Sequence, residues 1–186
     1  MRSSFYVLSP SAFGTLGVVW QEAEKGASVQ RVFLPTSART PVEEAVQATF
    51  AGARPSSCPF IAKLGERMQR FLGGEAVDFG LELIALERCS LFQARVLVAE
   101  HEIPRGWVST YGRIARRLQV PGGARAVGRA LARNPFPIII PCHRAIRSNG
   151  ELGGYQGGLQ MKRALLELEG VGLTQRGRVV MRKVHY

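Results

Sequence analysis

A chain of 186 residues with 46% apolar content is long enough to bury a proper core, as one domain or two small ones. Its longest apolar runs fall far below the roughly 18 residues a membrane helix needs, and Phe5-Tyr6-Val7-Leu8 is cut short by Ser9-Pro10-Ser11 without a small-residue cleavage site, so neither a span nor a signal peptide is expected. Three cysteines are too few for a disulfide framework, and no CxxC or clustered Cys/His spacing suggests zinc; a reducing compartment is expected, the cytoplasm or a eukaryotic nucleus, with no metal and no cofactor.

The formal charge is +11, and all of the excess lies in the second half. Residues 1–92 hold nine basic and nine acidic side chains; residues 93–186 hold sixteen and five. Between Ile103 and Gly150 stand nine arginines and no acid. A solvated face normally mixes signs, so this one-signed stretch points to a polyanion, and nucleic acid is the obvious candidate.

In chain order, Phe5–Leu8, Thr15–Trp20 and Val29–Leu34 are β-rich and separated by turn signals, Lys25-Gly26 among them, which predicts an antiparallel meander. Pro41 to Ala53 reads as a helix with Glu43 and Glu44 at its positive end. Pro59 to Leu72 reads as a second, stopped by Gly73-Gly74. A short strand is expected over Ala76–Leu81. Cys58 and Cys89 read as structural or incidental, and this half carries no evident chemistry. A domain boundary near residue 88 gives an α/β domain over 1–88 and a second domain over 89–186.

Ser90 to Ala99 reads as a helix packed through Leu91, Phe92, Val96 and Leu97. Thr110 is a plausible N-cap for a helix to about Leu118, with Ile114, Ala115 and Leu118 inward and Arg113, Arg116 and Arg117 outward. After the Val120-Pro121-Gly122-Gly123 turn, a helix over Ala124–Ala132 carries Arg125, Arg129 and Arg133 outward. Two short helices with basic outer faces about a glycine turn form a helix-turn-helix pattern.

Asn134-Pro135-Phe136-Pro137-Ile138-Ile139-Ile140-Pro141-Cys142-His143-Arg144 follows. Its prolines stiffen the backbone, so Cys142 should sit at a firmly held bend, with His143 and Arg144 as groups able to favour thiolate over thiol. A preoriented thiol beside a base is the make-up of a nucleophile. Ser148-Asn149-Gly150 is a turn signal. Gly153 to Gly158 places Tyr155 and Gln156 in a glycine loop, a candidate pocket wall. Leu159 to Leu168 reads as a helix carrying Lys162 and Arg163, and Glu169-Gly170 closes it. Val179–Met181 reads as a last strand and His185 as an exposed tail residue.

From about Leu91 to Gly170, the ordered set Arg125-Ala126-Val127-Gly128, Pro141-Cys142-His143-Arg144, Gly153-Gly154-Tyr155-Gln156-Gly157-Gly158 and Glu169-Gly170 resembles the O6-alkylguanine-DNA alkyltransferases (methylated-DNA–protein-cysteine methyltransferases). The resemblance implies an α/β (α+β) fold: a ribonuclease H-like antiparallel sheet with helices, then a winged-helix or helix-turn-helix-like domain carrying the active site. It implies direct reversal of DNA damage, with an alkyl group passing from O6 of guanine, and from O4 of thymine, irreversibly to Cys142. His143 and Glu169 would complete a water-bridged triad and Asn134 would brace the site. A monomer would bind double-stranded DNA through the minor groove, Ala126 and Gly128 permitting close approach, Arg125 filling the place of the extruded nucleotide, and Thr110 and Arg144 assisting. Tyr111 would crowd a phosphate and reach the base. The carbonyls of Cys142 and Ala145 would accept from the guanine amino group, and the Tyr155–Gln156 loop would donate to O6. Gln156 stands where serine is frequent and Leu131 where methionine is common, which bears on the alkyl groups accepted. A non-reacting sensor, a winged-helix regulator and a cysteine hydrolase each leave part of this set unused: Cys142, the Pro141–Arg144 motif and the arginine field, respectively.

Overall fold

The structure, a computed structural model, describes residues 3–24, 26–35 and 40–186. It divides into two compact units. One holds the chain up to Leu86 together with Pro135–Ile139; the other holds Glu87–Asn134 and Ile140–Tyr186. The fold is mixed α/β, as expected.

In the first unit, alternating apolar residues form β1 (Phe5–Ser9), β2 (Leu16–Ala23) and β3 (Gly26–Phe33). They pair antiparallel, β1 with β2 and β2 with β3, with a bulge at Val19/Trp20. Lys25 lies outside the described residues, and Gly26 takes the positive φ of 111° that closes the hairpin. A two-residue strand, β4 (Arg54–Pro55), adds parallel to β1 and gives the order β3-β2-β1-β4. Nothing in its arginine and proline signals a strand. Helices α1 (Val42–Thr49) and α2 (Pro59–Leu72) form where the apolar spacing places them, with Val46 packed against Tyr6, Val19 and Ala53. No strand forms over Ala76–Leu81: the chain there is irregular, tied by Glu75 N–H to Arg70 O at 3.0 Å and by Phe79 against Phe71, and ends in a 3-10 turn at Leu81–Leu83.

The second unit starts with α3 (Leu91–His101), capped by Ser90 Oγ accepting from Gln93 N–H at 3.3 Å. Val96 and Leu97 are buried, but Leu91 is 80% exposed and packs nothing; it occupies the first helical position, off the buried stripe. The Gln93 amide donates to the carbonyls of Ala130 and Arg133, fastening α3 to the end of α5 (Ala124–Ala132). Strand β5 (Ser109–Thr110) runs into α4 (Tyr111–Arg117), and Thr110 Oγ1 accepts from Arg113 N–H at 3.2 Å. Arg116, Arg117, Arg125, Arg129 and Arg133 are exposed; Arg113 is half-buried, its guanidinium on the carbonyl of Tyr186.

Cys142–Arg144 is a 3-10 turn, and β6 (Ala145–Ile146) then pairs parallel with β5. Helix α6 (Gly158–Leu168) follows. Val179–Met181 forms no strand; a single antiparallel bridge joins Leu173 and Val179. His185 is not a loose tail residue: its N–H donates to Val108 O and its carbonyl accepts from Ser109 Oγ, both at 2.8 Å, because Val184 bridges Val108. Val108, Ile146, Leu166, Val171 and Val179 form the apolar cluster beneath. Among the described residues no helix is long and apolar enough to cross a membrane.

Thr110→Ala removes a helix cap and is expected to lower unfolding stability by about 1 kcal/mol, with Thr110→Ser recovering most of it; urea denaturation measures both.

Candidate active site

The segment leading to Cys142 is held in an unfavourable conformation. Ile138, a β-branched residue, has φ +75°, a region such side chains rarely enter, and its 1% exposure shows that packing enforces it. Asn134 Nδ2 donates to Ile140 O at 3.2 Å, and Gln156 Nε2 donates to Asn134 O at 2.7 Å, so a fully buried asparagine fixes both flanks of the segment to the glycine loop. Cys142 N–H bonds Ile140 O at 2.8 Å and Arg144 N–H bonds Pro141 O at 2.8 Å, which closes the tight turn. The bend predicted from the prolines is therefore present, reinforced by a side chain.

Cys142 is 6% exposed, and that remaining exposure faces a cavity of about 370 Å³. Tyr111, Gly128, Leu131, Tyr155 and Gln156 line it with Cys142, as do Gly153 and Gly154 of the expected glycine loop, together with Ala132 and Arg147, which the motifs did not single out. Gly153 has φ +69°, and a Cβ there would lie 2.5 Å from the Tyr111 hydroxyl, so glycine is needed both for the turn and for the tyrosine's position. The Tyr155 ring stands edge-to-face to His143, 6.3 Å between centroids, with its hydroxyl enclosed and unbonded among the described residues. Burial raises the Tyr155 pKa well above its ordinary value and, with the nearby charges of Glu100 and Cys142, that of Tyr111 to about 12, so both present O–H donors.

Behind the turn lies the Glu169 carboxylate. His143 Nε2 is 2.9 Å from Oε1; Arg144 donates Nη2–H to Oε1 at 2.8 Å and Nε–H to Oε2 at 2.9 Å; Gly106 N–H reaches Oε2 at 3.3 Å. Burial pushes this carboxyl up, but hydrogen bonds and charge from His143 and Arg144 prevail and hold it down at about 2. A glutamate late in a helix usually faces solvent; here it caps α6 with its side chain 1% exposed. Burial keeps the His143 pKa below its ordinary 6.5, so the ring is neutral at neutral pH. Arg144 also donates to Ile103 O at 2.6 Å, and it does not line the cavity.

These facts correct the expected thiolate. Burial drives the Cys142 thiol up to about 11, against the lowering effects of the Asn134 hydrogen bond and the Lys162 charge. His143 is neutral and the Arg144 charge is matched by Glu169, so Cys142 rests as a thiol. The remaining candidates are dispersed. Thr110 caps α4 and does not line the cavity, Arg125 and Ala126 lie on α5 outside it, and the Ala145 carbonyl accepts from Lys162 Nζ at 2.6 Å.

Two buried ionisable side chains escaped sequence reasoning. Lys162 is 0% exposed, its pKa lowered by burial to about 8. Glu100 is also 0% exposed; burial raises it to about 8, while Lys162, Arg144 and the Ala145 amide pull it down, and neither oxygen makes a well-formed hydrogen bond among the described residues. The signal was helical spacing. Lys162 shares a face with Met161, Leu165 and Leu166, and Glu100 stands four residues after Val96.

Residues 91–171 match the family profile described as "6-O-methylguanine DNA methyltransferase, DNA binding domain". The chain is 49% identical over 113 residues to a methylated-DNA–protein-cysteine methyltransferase of Methanothermobacter thermautotrophicus, a match covering 61% of this chain and 63% of that one, less than two thirds of the relative's length. It is 42% identical over 129 residues to the protein of the same name from Mycobacterium leprae, covering 69% of this chain and 76% of that one. The crystal structure of Mycobacterium tuberculosis OGT in complex with DNA superposes with a TM-score of 0.69 at 34% identity, covering 90% of this chain and 92% of that one. The chain belongs to the methylated-DNA–protein-cysteine methyltransferase family. Within that family Cys142, in the Pro141–Arg144 motif at the cavity wall, is the residue on which a function must be built.

The pKa of Glu100 is raised from 4.5 to about 8, so the folded state holds this proton more tightly than the unfolded chain, and native stability falls as pH rises through that window. Glu100→Gln keeps the shape and removes the ionisation. It should match the native protein near pH 5 and exceed it above pH 8, by on the order of 1–3 kcal/mol; calorimetric Tm across that range measures it, and a difference that grows towards acid would refute the assignment.

Proposed function

We propose that this protein repairs alkylated DNA directly, moving a methyl or other alkyl group from O6 of guanine, and from O4 of thymine, onto Cys142. The single observation that carries this reading is that a buried thiol, backed by a His143–Glu169 pair, forms the wall of a cavity large enough for one flipped base. A cavity of this kind serves a base taken out of the stack, not one read in a groove. The Mycobacterium tuberculosis relative crystallised with DNA supports the same partner.

The steps follow from the groups present. A monomer approaches through the minor groove with α5 leading, where Ala126 and Gly128 leave room for the backbone. Arg125, exposed on α5, replaces the extruded nucleotide in the stack. Extrusion costs a few kcal/mol, least for a poorly paired damaged base, which itself adds selectivity. In the cavity the Tyr111 hydroxyl and the Tyr155–Gln156 loop donate to the base, and backbone carbonyls of the Cys142 turn accept from its amino group; Lys162 must share or release the Ala145 carbonyl for this. Neutral His143, oriented by Glu169, takes the thiol proton through a water. Sulfur then attacks the alkyl carbon in line: an S–C bond forms, the C–O6 bond breaks, and the proton returns to the departing guanine. The thioether product has no neighbouring thiol to reverse it, so each molecule reacts once, in a reducing compartment such as the cytoplasm.

Intact-mass measurement after incubation with excess methylated duplex should show one added methylene, on Cys142 alone, and no further product. Repeated turnover, or activity in Cys142→Ala, would overturn the mechanism. Glu169→Gln should slow transfer by about a hundredfold or more while the rate stays level above pH 6.5 in the native protein, because His143 remains neutral there and charges only at lower pH. A native rate that climbs steadily from pH 6.5 to 9 would instead indicate direct ionisation of the thiol.

A further inference from the structure

A second concavity adjoins the cavity and shares Arg147, Gly153, Gly154 and Tyr155 with it. It is an open groove of about 710 Å³ whose other side is built by Arg176, Gly177 and Arg178. These residues lie past the family match, which ends at 171. They are nonetheless firmly placed. Thr174 N–H bonds Arg178 O and Gly177 N–H bonds Thr174 O, both at 2.8 Å, making a tight turn with Gly177 at φ +72°. Val179 N–H then bonds Gly150 O at 2.8 Å, which sets this turn beside the Ser148–Gly150 turn, and buried Val179 anchors it.

The groove carries three arginines against one acid. Glu151 lies 2.8 Å from Arg147 and 3.8 Å from Arg178, so a single carboxylate sits between two guanidiniums. Arg176 is exposed and its guanidinium has no ion pair among the described residues. The first turn of α6, at Gly158 and Leu159, lines the floor and contains no acid. The feature is therefore a net-positive channel leading directly away from the cavity's loop wall, whereas α5 forms the other wall through Gly128, Leu131 and Ala132.

We propose that this groove is a second DNA contact, in which Arg176 and Arg178 receive phosphodiester oxygens of the strand leaving the flipped nucleotide on the side away from α5. The proposal rests on the alkyltransferase reading above. A strand whose nucleotide occupies the cavity must continue past its rim, and arginines along a concave exit release counterions as phosphates enter. The groove makes binding to the lesion strand asymmetric about the lesion.

The test uses the full chain carrying Cys142→Ala and a methylated duplex, so that a nucleotide can enter the cavity but no reaction intervenes, with Kd measured by anisotropy over a salt series. Arg176→Ala/Arg178→Ala should reduce the slope of log K against log salt by about 1.8, two contacts at about 0.9 each. Arg176→Lys/Arg178→Lys should keep most of the slope. Lys63→Ala/Arg70→Ala, which removes two exposed cations from α2, should leave it unchanged. With Cys142 intact, the alanine pair should slow transfer from methylated duplexes when the lesion is central, and the penalty should vanish when the duplex is cut short on one side of the lesion only. Reaction with free O6-benzylguanine should be unaffected. An unaltered slope, an equal loss in the α2 variant, or a penalty indifferent to both truncations would overturn the proposal. Failure of the unmodified protein to take up any alkyl group would strike instead at the alkyltransferase reading.

Discussion

One buried carboxylate constrains everything around the Cys142 thiol. Glu169 accepts from His143, from Arg144 through two nitrogens and from the Gly106 amide, so it joins the end of α6, the 3-10 turn and the loop after α3. Two of its partners follow Cys142 directly in the chain, and the turn that presents the sulfur cannot shift without breaking them. Removing one partner of a buried charge pair typically costs about 3–5 kcal/mol, because the other charge is left stranded. That asymmetry makes the arrangement rigid even where its net contribution to stability is small. It also explains why the guanidinium of Arg144, adjacent to Cys142, is turned towards Glu169 and the Ile103 carbonyl.

The same burial decides the state of the sulfur. Positive groups near a thiol lower its pKa, and Lys162 does so here, but the loss of water around Cys142 outweighs it. The resting site is therefore nearly neutral: a thiol, an uncharged imidazole and two tyrosine hydroxyls around an apolar-walled space, with the Arg147 charge at its edge matched by Glu151. A thiol kept protonated is a poor target for adventitious oxidants and electrophiles, which react with thiolate. On the proposed mechanism, reactivity would then depend on His143, held 2.9 Å from its carboxylate partner, acting as the base for the thiol.

Much of the architecture was legible because periodicity and caps carry it. The meander, α2, the Thr110 cap and the paired α4 and α5 all follow from local spacing, and the three prolines before Cys142 correctly announced a stiff bend. Other features depended on partners far away in sequence. β4 exists only because β1 offers an edge to Arg54 and Pro55, and Ala76–Leu81 lacks one, so its strand-like composition yields an irregular segment. The expected thiolate failed for a related reason. Adjacency of Cys142, His143 and Arg144 says nothing about where each side chain turns, and Glu169, placed 25 residues after Arg144, takes two of the three. Lys162 and Glu100 stood on apolar helical faces in plain view, where a charged side chain is read by habit as pointing outwards.

The distribution of charge separates two tasks that one patch could not perform together. A strongly basic cavity would attract phosphate as readily as a base and would be occupied by the wrong part of the polymer. Here the guanidiniums of Arg116, Arg117, Arg125, Arg129 and Arg133 are exposed on the helix pair and those of Arg176 and Arg178 on the groove, whereas the cavity wall holds hydroxyls, glycines, a thiol and one guanidinium, Arg147, which is paired with Glu151. On the proposed reading, attraction for a nucleic-acid backbone would act at the rim over a Debye length of about 8 Å at physiological salt, and discrimination would act inside, where a neutral base would lose its water to groups already fixed in place. Glu100 fits this division: burial keeps its carboxyl protonated to about pH 8, so it adds no negative charge at depth.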